Sequence, residues 1–128
     1  MRAEGTFVVK IDPRADGNPP GVARMALDKQ FSGALQATAQ GTMLAAGDGR
    51  TDGAYVALET VTGTLEGREG SFALLHRALM RNGLPEEWTV VVVPGTGAGA
   101  LAGLDGRMEI VIENGEHRYR FDYSLPDR

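Results

Sequence analysis

Lys29, Glu59 and His76 are the residues of this chain whose types and positions suit acid–base chemistry in one place. Each interrupts an apolar face in a segment of alternating character. Lys29 falls among Met25, Leu27 and Phe31. Glu59 falls among Tyr55, Ala57 and Val61, and His76 among Phe72, Leu74 and Ala78. Successive side chains on a strand point to opposite faces, so period-two counting puts all three inward. A carboxylate beside an imidazole and an ammonium can hold a proton or pass it on. A buried charge must also be paired, because leaving it alone costs several kcal/mol. Lys29 with Glu59 is the economical pair, with His76 sharing the carboxylate. Two readings stand: a ligand-binding or acid–base site in the interior, or a polar cluster that holds strand register. Networks of both kinds perturb ionisation.

The remaining motifs carry less. Phe7, Phe31, Phe72, Tyr55, Tyr119 and Tyr123 fall on inward faces as core or as ligand-lining groups. The Tyr119 and Tyr123 hydroxyls would need partners when buried, which suggests a wet interior. Trp88 reads as packing or an oligomer contact. Gly95, Gly97 and Ala100 match a dinucleotide-type G-x-G-x-x-A. That fingerprint needs a following helix and a further parallel strand, and two antiparallel strands follow instead. The loop therefore reads as a flexible connection across a barrel end that binds no nucleotide. His117 follows a turn and is expected in solvent. Without H-x-H or H-E-x-x-H spacing, no metal site is expected. No G-x-S-x-G elbow surrounds Ser32, Ser71 or Ser124, which disfavours a serine hydrolase. No cofactor is expected.

The elements that must position these residues are strands. Alternation predicts strands over residues 6–11, 22–32, 35–44, 54–65, 70–80 and 88–93, with two more around Met108–Ile112 and Tyr119–Leu125. Loops are expected over 12–21, 47–53, 82–85 and 94–105. In the second strand Met25, Leu27 and Phe31 should face in, with Arg24, Ala26 and Asp28 facing out. The third is built from small residues, Ala37, Ala39 and Gly41, which would let a long lysine on the second strand reach the fourth. Asn114-Gly115 is a strong two-residue hairpin signal. Eight strands in meander order make an all-β fold, a closed antiparallel barrel. At eight strands the interior is either filled by side chains or holds one small ligand.

Composition bounds the rest. At 128 residues the chain is expected to form one domain, residues 1–128, with a core that needs no staples. It contains no cysteine, so no disulfide, thiolate nucleophile or thiolate ligand exists. A formal charge of −4 argues against a nucleic-acid partner. The start lacks an apolar signal core, and the run Val90–Val93 is too short to cross a membrane. A bacterial-type cytoplasmic protein without membrane attachment is the expectation.

One family resemblance is visible. It rests on Lys29-Gln30-Phe31-Ser32-Gly33 and Tyr55-Val56-Ala57-Leu58-Glu59. It runs on through Gly63-Thr64-Leu65-Glu66-Gly67-Arg68-Glu69-Gly70-Ser71-Phe72 and Leu74-Leu75-His76. It closes with Val93-Pro94-Gly95-Thr96-Gly97 and Leu101-Ala102-Gly103-Leu104. In this order the segments resemble the bacterial DUF3224 family. The resemblance implies a small closed barrel similar to the allene oxide cyclase barrel. That family has no established activity, so the resemblance supplies no catalytic residue. The segment Arg77-Ala78-Leu79-Met80-Arg81 departs from it, being more apolar and basic.

Three functions remain open at this stage. The first is binding of a small, partly apolar molecule in the barrel. The second is a cofactor-free isomerase or cyclase using Lys29, Glu59 and His76. The third is a structural or interaction barrel with a filled core. An open interior would favour the first two and an aromatic-packed one the third. Packing of the small-residue third strand against a second copy of the chain is expected to make a homo-oligomer.

Overall fold

The computed structural model describes residues 1–48 and 50–126. Its strands are β1 (Arg2–Arg14), β2 (Ala23–Gly33), β3 (Leu35–Gly47), β4 (Gly53–Leu65), β5 (Arg68–Arg81), β6 (Leu84–Val92), β7 (Ala98–Gly99), β8 (Asp105–Glu113) and β9 (Glu116–Ser124). All pairings are antiparallel, each long strand lies beside the next, and β1 pairs with β9. The result is a closed eight-stranded meander barrel, with β7 as a short extra strand on β5. No helix among the described residues is long and apolar enough to cross a membrane.

The hairpins explain the tight register. Glu66-Gly67, Asn82-Gly83 and Asn114-Gly115 each place two consecutive residues at positive φ. That is the backbone of a type I′ turn, whose twist matches the strands it joins. Residues 82–85, expected as a loop, are thus a two-residue turn and the start of β6. No alternation marks the start of β6 because Leu84–Trp88 are all exposed, and its pairing with β5 shifts register between Arg77 and Leu79. Likewise β1 runs through Pro13, where a loop was expected. Its pairing with β9 ends at Phe7, so Pro13 pairs only with β2 and its missing N–H leaves no ladder bond unmade.

The interior has two parts. Phe31, Leu35, Val61, Phe72, Tyr119 and Phe121 fill one end. The glycine-rich segment 94–104 packs over that end as a plug, with Leu101 and Leu104 buried in the core. Thr96 fastens it to the wall: its Oγ1 accepts from the Ala73 N–H at 3.0 Å and donates to the Val93 carbonyl at 2.7 Å. This corrects the expectation of a flexible connection. The glycines allow close approach, and a Cβ on Gly70 would sit 3.1 Å from Leu101 Cγ.

The other end is open. Among the described residues two pairs join β6 to β8, Val90 with Met108 and Val91 with Arg107. Beyond them the wall is parted, with Trp88 on one side and Ile112 on the other.

Candidate functional site

The second strand faces as expected: Leu27, Lys29 and Phe31 are buried inside, and Asp28 is exposed. Three pairings then assemble the cluster. Lys29 lies opposite Ala39, Gly41 opposite Glu59, and Ala57 opposite His76. The small side chains of β3 leave the path from β2 to β4 clear. Lys29 Nζ reaches across to lie 2.9 Å from Glu59 Oε2 and 3.3 Å from Oε1. His76 Nε2 lies 3.4 Å from the same Oε2. Gly41 is what makes room: a Cβ there would stand 2.6 Å from the Glu59 Cβ.

All three side chains are at most 7 % exposed. Burial pushes the Glu59 carboxyl up, but the His76 ring close to Oε2 and the Lys29 charge outweigh it. The group therefore titrates below its ordinary range and stays a carboxylate. The Lys29 ammonium also lies 5.1 Å from the centre of the Phe7 ring, a favourable cation–π contact. The ion pair is close but poorly angled at one oxygen. Glu59 Oε2 and His76 Nε2 are buried without a well-aligned hydrogen bond. Short distance makes the Coulomb attraction strong, while the angles leave hydrogen-bonding capacity unused.

Directly above the cluster is a cavity of about 560 Å³. Met25, Met43, Tyr55, Met80, Trp88 and Ile112 are among its walls, with Asp48 at its rim. The cluster does not line this cavity. Ala57 is the inward residue between Tyr55 and Glu59, and Leu27 stands between Met25 and Lys29. On β5, Ala78 in the cavity wall is the next inward residue after His76. The floor is therefore thin and built mostly of small residues. Burial raises the pKa of Tyr55, Trp88 within hydrogen-bonding reach works against this, and the Glu59 charge adds to it. Tyr55 thus senses both the cavity and the cluster. A second hollow of about 490 Å³, bordered by Arg107, Asp122 and Ser124, is an open groove on the outer wall.

The other sequence candidates lie elsewhere. Phe31, Phe72, Tyr119 and Tyr123 belong to the filled end. Tyr119 accepts from the Leu35 N–H at 2.9 Å and donates to the Ser32 carbonyl at 2.8 Å. Tyr123 donates to the Glu66 carboxylate. Their hydroxyls are satisfied by protein groups, so they do not require a wet interior. Trp88 lines the cavity, and methionines 25, 43 and 80 line it with little sequence signal. His117, expected in solvent, is half-buried with its ring 5.1 Å from that of Phe7. Its odd-numbered position, shared with Tyr119, Phe121 and Tyr123, was the signal that it faces inward.

Comparison with known proteins agrees with this architecture. Residues 3–123 match the family model DUF3224, described as protein of unknown function. A crystal structure of a protein with unknown function from the same family, from Shewanella oneidensis MR-1, is similar along the whole chain. The two are 44% identical, and the match covers 100% of this chain and 98% of that one with a TM-score of 0.90. No curated protein matches. Both the sequence match and the shared barrel place the chain in one family: it belongs to DUF3224.

Proposed function

We propose that this barrel binds a small, partly apolar molecule in its open end. The observation that carries this is the cavity of about 560 Å³ walled by methionines, Tyr55 and Trp88. Ligand sites are concave, mostly apolar, of roughly 300–1,000 Å³, with a few placed polar groups. Methionine walls suit such a role, because the unbranched thioether side chain adapts to different shapes. The Tyr55 hydroxyl in the wall and Asp48 at the rim supply the polar groups. Catalysis by the cluster would require a substrate to pass Ala57 and Leu27, so binding is the better-supported reading.

Trp88 is the only tryptophan and sits in the cavity wall, so its fluorescence reports on the site directly. Titration with the apolar anionic dye anilinonaphthalene sulfonate and with uncharged aromatic alcohols should change Trp88 emission saturably. Ala78→Leu and Ala45→Phe fill the cavity from two walls and should abolish the change without unfolding the barrel. Native mass spectrometry should show a co-purifying small molecule in the wild type that is lost in both variants. No saturable Trp88 response together with no co-purifying molecule would overturn the proposal.

A further inference from the structure

The β6 strand departs from regular pairing where it meets the cavity. Arg77 lies opposite Thr89 and Leu79 opposite Glu86, so Ala78 on β5 faces both Glu87 and Trp88. Two residues against one make a β-bulge, which re-aims the side chains around it. Glu87 sits at φ 49°, a left-handed backbone that a glutamate adopts at a cost. Glu66, Asn82 and Asn114, the other non-glycine residues at positive φ among those described, belong to hairpin turns, whereas Glu87 lies inside a strand. Pro85 and Trp88 are three apart and would face opposite sides of a regular strand. The bulge brings both into the cavity wall. Strain of this kind collects at ligand sites, where the surroundings enforce it.

Trp88 thereby comes within hydrogen-bonding reach of Tyr55. An indole N–H can only donate, so the Tyr55 oxygen is the acceptor and its own proton points elsewhere. The residues opposite Tyr55 are Ala45 and Ala78, whose side chains offer no acceptor. The hydroxyl is left to donate into the cavity. Asp48 at the rim is differently placed. Its Oδ1 accepts the N–H groups of Arg50, Thr51 and Asp52 at 2.8, 2.9 and 3.1 Å, and its other oxygen accepts the Thr51 hydroxyl. The lone pairs are turned into the loop, while the negative charge remains. No basic side chain is among the described walls.

We infer that the ligand is an uncharged molecule with a ketone, ether or ester oxygen on an apolar body, and that Tyr55 selects it by donating to that oxygen. This rests on the reading of the cavity as a binding site. A buried donor without an acceptor is costly, and a ligand oxygen removes the cost. A hydroxyl that already accepts a hydrogen bond donates more strongly. Burial pushes the Tyr55 phenol up, so it stays a donor through the neutral range. A carboxylate ligand would meet the Asp48 charge with no cation to neutralise it. An ammonium has no lone pair to take the Tyr55 proton.

Cyclohexanone, cyclohexane, cyclohexylammonium and cyclohexanecarboxylate share one ring and differ in polar group. None absorbs where Trp88 emits, so its fluorescence reads them all. Tyr55→Phe, checked as folded by circular dichroism, should weaken cyclohexanone roughly 3- to 10-fold, the worth of one neutral hydrogen bond. Cyclohexane should bind wild type and variant alike, and this comparison cancels the probes' different hydration. The carbonyl stretch of bound cyclohexanone should move to lower frequency in the wild type and not in Tyr55→Phe, a shift that a mere loss of packing would not cause. In the wild type both charged probes should bind more weakly than the ketone. Equal effects of Tyr55→Phe on ketone and hydrocarbon, with no difference in the carbonyl stretch, would overturn the role of Tyr55 while leaving the cavity as a binding site. Tighter binding of the ammonium or the carboxylate than of the ketone would overturn the uncharged class. Failure of every probe to bind would remove the binding reading itself, and this inference with it.

Discussion

The filled end and the open end of this barrel are made from the same strands, yet they bury their inward residues to opposite degrees. Toward the plug, β4 and β5 present Val61, Phe72 and Leu74, all fully enclosed. Toward the mouth, the same two strands present Tyr55, Ala78 and Met80, and no element covers them. The Lys29–Glu59–His76 cluster is the boundary. Burial is worth roughly 25 cal/mol per Å² of apolar surface, so stability is concentrated in the filled end. The open end gives up that gain for a cavity. Alternation therefore decides which way a side chain points, and not what it meets there.

The strongest test of this division is a pair of aromatic truncations. Phe72 is buried and stacks 5.9 Å from the Phe121 ring. Phe72→Ala should destabilise by ~3–5 kcal/mol, the range for emptying an aromatic site in a core. Trp88, 38 % exposed at the mouth, is the larger side chain, yet Trp88→Ala should cost clearly less, ~1–2 kcal/mol, because the space beside it is already open and no enclosed void is left. Urea unfolding of both variants measures this as shifts in midpoint at constant slope. Equal costs would show that the two ends are not different in kind.

Glu59 sits on the boundary, and removing it should cost nearly as much. Glu59→Leu leaves Lys29 buried without its counter-charge and should destabilise by roughly 3–5 kcal/mol. Lys29→Met orphans Glu59 in the same way. The double variant should recover much of the loss, and additivity within about 0.5 kcal/mol would show that the pair is not coupled. The pH dependence has a definite sign. Because the folded-state pKa of Glu59 is depressed, its contribution is full above the unfolded value of about 4.3. It is lost as pH falls through the folded value. Stability should therefore decline on acidification, and Glu59→Gln should remove that part of the decline.

Much of this was legible in the sequence because strands encode facing in period two. Lys29, Glu59 and His76 could be placed together from parity alone, given small residues on the strand between. The fold and its closure followed from the same alternation and the turn residues. Other features were not legible for physical reasons. Pro13 belongs to a strand only because β9 stops pairing at Phe7, a fact about a distant strand. The glycine-rich segment looked like a free loop because its burial rests on two leucines inserted into the barrel end. The methionine-lined cavity has no sequence signature, because the same alternation describes a filled mouth and an empty one.

Gly41 sharpens the boundary at a smaller scale. Its missing side chain is what lets the Glu59 Cβ approach the neighbouring strand. Gly41→Ala adds one methyl against Glu59 Cβ and the Leu58 carbonyl, both fixed by the sheet. Overpacking of this kind costs typically ~1–3 kcal/mol. A change at this inward position should also push the carboxylate out of line with Lys29, so the Lys29→Met penalty should shrink in the Gly41→Ala background. An unchanged penalty would mean that the strand yields without moving Glu59.

The smallest stability effect is expected where the largest binding effect should appear. Met43 is half-buried on β3, one inward position from Gly41, and lines the cavity. Truncating a methionine inside a packed core costs ~2–5 kcal/mol, mostly through the void it leaves. Here the space beside Met43 is already open, so Met43→Ala creates no new enclosed void. The expected cost is under ~1 kcal/mol, in line with sites away from a packed core. The same change widens the cavity and removes a polarizable contact, so the Trp88 response to small aromatic probes should weaken while bulkier probes gain. A Met43→Ala variant as unstable as Phe72→Ala would mean that the mouth closes in solution and that Met43 is core. Full stability with altered probe preference is the outcome that ties the open end of the barrel to binding.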